Sequence, residues 1–209
     1  GFEAIIILHS VFSNSCFLSD KLSGTLASCP QPKVFFLGNE YKLMPEKMAL
    51  CERLSVALLV SQSHSPVIHR LYHDRLGCRV IHLPNTGLDP GIFSPRREWR
   101  NRPIDIGYRA QDTPLYLGHS EKHALAEYFT VYARREQLKT DISLDPSDRF
   151  TERGWADFLN RCKAQLGAEA GSDYFELTDQ TRQGVNAYVT RHPQATRQQI
   201  FDRFFRGYP

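Results

Sequence analysis

The residues best suited to chemistry cluster where apolar runs end. His9 follows the first such run, Ala4–Leu8, and Ser10 and Asn14 continue the same loop. Asn39, Glu40 and Tyr41 follow the second, and Ser61, Gln62 and His64 follow the third. Open α/β sheets bind ligands at the carboxyl ends of their strands, so these positions form one candidate rim. On it His9 and Glu40 have the side chains of a general base. Further along, the loop 112–118 brings Gly118 and His119 to the start of a helix beginning near Ser120, a natural anion site. His69 and His73 stand four apart on a predicted helix, a spacing that metal pairs use, but without an H-E-x-x-H motif. We read them as a helix face and expect no metal site. The five cysteines are scattered, odd in number and lack any C-x-x-C, which argues against a disulfide framework and a structural zinc site.

The elements that must hold these residues alternate. Strands are predicted at Ala4–Leu8, Val34–Leu37, Val56–Val60 and Val80–Leu83. Between them lie helical patterns through Phe17–Leu26, from Pro45 onward, and over Pro66–Arg75, the last ended by Gly77. Four buried strands separated by helices predict parallel pairing with right-handed crossovers. Four prolines (Pro84, Pro90, Pro95 and Pro103) then break the rhythm and mark a linker, with Phe93 and Trp99 as its anchors. A second alternating region follows. Strands are predicted at Ile104–Tyr108, Asp141–Leu144 and Gln165–Ala168, and helices at Ser120–Leu138, from Thr151, at Gly184–Thr190 and at Thr196–Phe205. The fold expected is α/β, with two Rossmann-like parallel-sheet domains, 1–93 and 94–209, joined by a Pro-rich linker.

Composition bounds the partners. The chain has 209 residues, 41% hydrophobic and 23% charged, which excludes disorder, collagen and coiled coil. Net charge is +3, from 26 Lys and Arg against 23 Asp and Glu, without the clustered basic face of a nucleic-acid binder. No apolar run approaches the roughly 20 residues that cross a bilayer, and no basic flank precedes the first one. A soluble, cytoplasmic protein without a membrane span is the expectation. No G-x-G-x-x-G follows any strand, which weighs against a dinucleotide oxidoreductase.

The segment Val80-Ile81-His82-Leu83-Pro84-Asn85-Thr86-Gly87-Leu88-Asp89-Pro90-Gly91-Ile92-Phe93-Ser94-Pro95 is the most specific. It resembles the interdomain junction of GT-B glycosyltransferases of the group 1 nucleotide-sugar class, N-G-V-D-x-x-x-F-x-P, with Thr86 inserted. Arg102-Pro103-Ile104-Asp105-Ile106-Gly107-Tyr108-Arg109 looks like the first strand of the second GT-B domain. With Trp155–Glu176, the region is similar to CgeB-like glycosyltransferase-like proteins, and the resemblance extends over residues 3 to 205.

That resemblance implies a nucleotide-sugar donor on the second domain, an unknown acceptor on the first, and no cofactor. It assigns pyrophosphate neutralisation to Arg109 and Lys122, supported by Gly118 and His119, and acceptor contacts or proton abstraction to His9 and Glu40. It makes Glu169 and Glu176 the sugar and ribose carboxylates, with Gly171 letting backbone approach the ligand. Three departures stand beside it. The spacing from Arg109 to Lys122 is about twice the family's, six residues rather than seven separate the two glutamates, and the chain is shorter than such enzymes usually are. The second domain is therefore expected to be incomplete. The implied activity is sugar transfer from a nucleotide-sugar; the alternative is a non-catalytic GT-B-like module that binds a nucleotide, a glycan or a protein.

Overall fold

The structure is a computed structural model, and it describes residues 1–84, 87–168 and 171–207. In chain order the elements are β1 (Ile5–Ile7), α1 (Asp20–Ser28), β2 (Lys33–Phe36), α2 (Met44–Leu54), β3 (Val56–Ser61), α3 (Pro66–Leu76), β4 (Arg79–His82), β5 (Ile104–Arg109), α4 (Glu121–Arg135), β6 (Thr140–Ser143), α5 (Glu152–Arg161), β7 (Cys162–Gln165), α6 (Gln180–Arg191) and α7 (Arg197–Phe204). This is a mixed α/β chain with two parallel sheets. The chain divides into two compact units. The first comprises Gly1–Asn85, Gly171–Thr196 and Gly207–Pro209, and the second Thr86–Ala170 and Arg197–Arg206. The sequence gives no sign that α6 returns to the first unit, because its helical pattern carries no information about which sheet it serves.

In the first unit four parallel strands run in the order β1-β2-β3-β4. When each strand is added on the same side, right-handed crossovers put every connecting helix on one face. The core agrees: Ile7, Phe35 and Leu59 on the strands pack with Met44, Met48, Cys51 and Leu54 of α2 and Tyr72 of α3. Each such buried aliphatic side chain contributes about 2 kcal/mol. The opposite face is less covered, and Ile6 in the middle of β1 is 64% exposed. The expectation of four buried strands therefore holds best for β2 and β3, since β1 and β4 are edges.

Helix limits follow local chemistry. α1 starts at Asp20, where the Ser19 hydroxyl accepts from the Leu22 N–H at 3.2 Å, so Phe17 and Leu18 precede the helix rather than open it. Pro66 begins α3, and Gly77 ends it in the left-handed region with its N–H donating to His73 O. His69 and His73 each bond a nearby carbonyl, Ser63 O at 2.7 Å and Cys78 O at 2.9 Å.

In the second unit three parallel strands run β6-β5-β7. α5 is capped by the Thr151 hydroxyl, which accepts from Gly154 N–H at 3.3 Å. It packs Phe158 onto Ile104 of β5 and Cys162 of β7. The third strand begins at Cys162, not Gln165. Cys162 continues the i, i+3, i+4, i+7 stripe of α5, so the sequence reads it as helical. The structure ends α5 at Arg161 without an intervening turn and pairs Cys162 with Ile104. Trp99 lies against this unit, its indole N–H donating to Lys163 O at 2.9 Å. Asn85 and Thr86, the turn positions of the 80–95 segment, lie outside the described residues.

Gly107 is the one position in β5 that tolerates no side chain. A Cβ there would collide with Cys162 Sγ and Gln165 Nε2 and stand 2.9 Å from Phe158 Cζ. Gly107→Ala is expected to lower unfolding free energy by about 1–3 kcal/mol, read from urea denaturation monitored by circular dichroism.

Candidate functional site

Parallel strands bring their βα loops to one edge of each sheet, and two side-chain clusters result. The cluster in the second unit lies where β5 runs into α4. Tyr108, near the end of β5, is 4% exposed, and its hydroxyl has no hydrogen-bond partner among the described residues. Burial, and then the nearby Glu121 carboxylate, hold this phenol above its ordinary pKa. The next loop carries Asp112, whose carboxylate accepts from Thr113 N–H at 2.7 Å and from the Arg197 guanidinium on α7. Arg197 also donates to Thr113 O at 3.3 Å. The Thr113 hydroxyl is buried without a partner among the described residues. Gly118 then turns the chain with φ +88°, a conformation natural to glycine. His119 and Ser120 lead into α4, where Ser120 supplies no side-chain cap. Lys122 lies in the first turn of α4, half-buried. His123 follows it, 3.3 Å from Glu127 through Nε2 and 3.9 Å from Asp112 through Nδ1.

Arg109 is held more tightly than its expected role requires. Its guanidinium forms an ion pair with Asp141 and donates to Tyr108 O at 3.1 Å and to Asp141 O at 3.0 Å. It also lies over the rings of Phe150 and Phe158, 5.3 and 5.1 Å from their centroids. Its Nε is buried without a partner among the described residues. A cleft of about 110 Å³ beside it is lined by Arg109, Gln111, Asp145, Asp148 and Trp155. The cation is at the strand end, with both terminal nitrogens engaged.

The second cluster rims the first sheet. His9 is exposed at the end of β1, and a Cβ on Gly38 would stand 2.9 Å from its ring, so the glycine lets the two approach closely. The Glu40 carboxylate accepts from three donors: Ser61 Oγ, which reaches both oxygens at 3.1 and 2.9 Å, Gln62 N–H at 2.5 Å and Tyr72 OH at 2.6 Å. Burial first, then Glu40, drive the Tyr72 phenol well above its ordinary range. A carboxylate so fully bonded ties the ends of β2 and β3 to α3 and organises the rim.

Two buried charges fix the loop between β2 and α2. The Lys47 ammonium donates to Gly38 O at 2.7 Å and Asn39 O at 2.8 Å. Asp179 accepts from Leu43 N–H at 3.3 Å and pairs with Arg182. Asn39 and Leu43 both adopt left-handed backbone, φ +49° and +55°. That conformation is costly for leucine, and the two buried charges over-determine it. Desolvation brings Lys47 down to about 8, partly opposed by Glu40 and Asp179. Burial likewise pushes the Cys51 thiol up to about 12, which removes it as a nucleophile at neutral pH.

Glu176 and Gly171 belong to the first unit, whereas Arg109 belongs to the second. Glu176 accepts from Thr181 N–H at 2.8 Å and Thr181 Oγ1 at 3.0 Å, so it caps α6. This is a structural employment that the resemblance did not foresee. Gly171 has φ +126° with open space at its Cβ position. Glu169 lies outside the described residues. The structure thus brings together Arg109, Gly118, His119 and Lys122 along one connection, and His9 with Glu40 on the other sheet's rim. Asp112, Thr113 and Arg197 were missed, since their pairing spans 85 residues and no local motif announces it.

No protein-family model matches the chain, and no curated protein or solved structure matches it.

Glu176→Ala is expected to cost about 1 kcal/mol in thermal or urea unfolding, the cost of a lost cap, without altering any nucleotide affinity. Lys47 gives a pH signature. Its folded pKa lies below its unfolded value of 10.5, so the folded state releases the proton first. Stability therefore rises with pH between about 8 and 10.5, by roughly 3 kcal/mol from this group. Urea denaturation over that range is expected to lose this upward component in Lys47→Met.

Proposed function

We propose that this chain is a glycosyltransferase of the GT-B type and that the β5–α4 connection takes the diphosphate of a nucleotide-sugar donor. In this reading the two parallel sheets are Rossmann-like domains, and residues 84–103 link them. One observation carries it. At the carboxyl end of β5, the buried Tyr108 and Thr113 hydroxyls stand without partners among the described residues, beside an α4 N-terminus whose N-cap residue, Ser120, supplies no side-chain cap. Buried polar groups are rarely left unsatisfied, and a helix N-terminus attracts anions. The resemblance at 84–95 and 102–109 supplies the sugar.

Transfer breaks the bond between the sugar's anomeric carbon and the diphosphate oxygen and forms one from that carbon to the acceptor oxygen, whose proton passes to a base. The departing diphosphate gathers negative charge, which Lys122 and the α4 amides offset. Arg109 contributes only by exchanging its Asp141 partner for phosphate. Of the two rim residues of the first unit, His9 is exposed at the end of β1, while the Glu40 oxygens are occupied.

A second reading rests on those same occupied groups. With Arg109 paired to Asp141 and Glu40 bonded by three donors, the chain would bind a nucleotide without turning it over.

Calorimetry with UDP, GDP, ADP and CMP, and with their sugar conjugates, tests both. One nucleotide is expected to bind saturably, and both Tyr108→Phe and Lys122→Ala to weaken it about tenfold. Release of sugar from the bound conjugate favours the enzyme, and binding without release favours the module. Absence of binding by every nucleotide contradicts the proposal.

A further inference from the structure

The outer face of α4 bears an apolar and charged pattern that nothing in the proposed donor site uses. Tyr128 and Val131 are 61% and 68% exposed, although both are large apolar side chains. Tyr128 stacks on Tyr132, with centroids 6.0 Å apart and planes 11° from parallel, and the Arg135 guanidinium lies 5.2 Å over the Tyr132 ring. Beside these rings a groove of about 740 Å³ continues to Ile142 and Leu144. It runs along β6, an outer strand of its sheet. Ser143 O accepts from Ala110 N–H across the β5 side, so the alternate residues Thr140 and Ile142 turn their backbone groups to the open edge. An exposed strand edge beside an apolar groove is a surface that folded proteins ordinarily cover.

The charges identify what covers it. Glu127 and Arg135 each lie four residues from Val131, one on either side, and their side chains are 71% and 72% exposed. Two copies of α4 packed antiparallel about a two-fold axis through Val131 set Glu127 against the partner's Arg135, and the reverse pair follows by symmetry. Val131 then meets its own copy, and the Tyr128 ring faces the partner's groove. A parallel arrangement would oppose Glu127 to Glu127 and Arg135 to Arg135, which is repulsive. The same axis sets the two β6 edges antiparallel, the sense in which a strand can pair with its own copy. We propose that α4, with the adjoining β6 groove, is the interface of a two-fold homodimer of this chain. A foreign partner would have no need of a face complementary to itself.

Sedimentation equilibrium of the full chain tests this. The wild-type chain is expected to reach dimer mass at concentrations of order 10 µM, the affinity of a modest interface. Glu127→Arg and Arg135→Glu, taken singly, are expected to weaken association at least about tenfold. The double reversal, E127R with R135E, restores the opposite-charge pairs and is expected to return to within about threefold of wild type. Val131→Glu is expected to leave a folded monomer, folding being checked by circular dichroism, since the position is exposed. A wild-type monomer at every concentration overturns the proposal. So do single reversals without effect, or a double reversal that fails to recover.

Discussion

Parallel strand pairing is the constraint on which the rest depends. A parallel strand must be reached by a crossover, and the crossover has a fixed hand. All four strands of the first sheet and all three of the second therefore end at one edge of their sheet, carrying their βα loops with them. His9, Gly38 to Glu40 and Ser61 meet on the first edge because of this, not because of any local motif. Arg109 and the turn at Gly118 hold the corresponding place on the second. The one-directional strand order of the first sheet has a further consequence. It concentrates α1, α2 and α3 on one face, so the buried core forms there, and Ile6 on the other face remains largely exposed.

Buried charge then sharpens what topology has only gathered. In the first unit Lys47 and Asp179 hold Asn39 and Leu43 in left-handed backbone, and Glu40 ties the ends of β2 and β3 to Tyr72. Each of these groups costs free energy to bury and recovers it only with its full set of partners. Removal of any one leaves the others uncompensated. In the second unit the Asp112–Arg197 pair ties the loop after β5 to α7, and the Arg109–Asp141 pair ties β5 to β6. The Tyr108 and Thr113 hydroxyls, buried without a partner among the described residues, mark the β5–α4 connection.

Much of the fold was legible because its signals are local. Pro66 and Gly77 frame α3, the apolar run at Val56–Val60 became the core of β3, and Thr151 caps α5 as its type suggests. The start of β7 was not legible, because Cys162 fits a helical stripe as well as a strand and no turn residue separates the two. The candidate site was legible in part. Strand ends singled out His9 and Glu40, the helix start Gly118, and the resemblance Arg109, but none of these signals says what holds the side chains. Whether an arginine faces a ligand or an aspartate 32 residues away is a property of packing, and the sequence near Arg109 says nothing of Asp141. Glu176 shows the same limit: a carboxylate after an apolar stretch suits a ribose and a helix cap equally, and here it meets the amide of Thr181.

The proposed donor site rests on an anion where β5 meets α4. Hydrogen–deuterium exchange followed by peptide mass spectrometry, with and without saturating UDP or inorganic pyrophosphate, addresses that place directly. With an anion bound there, slower exchange is expected, confined to the segment from Tyr108 to the first turn of α4, where phosphate would accept from backbone N–H groups. Unchanged exchange in that segment, with protection elsewhere or nowhere, would contradict it.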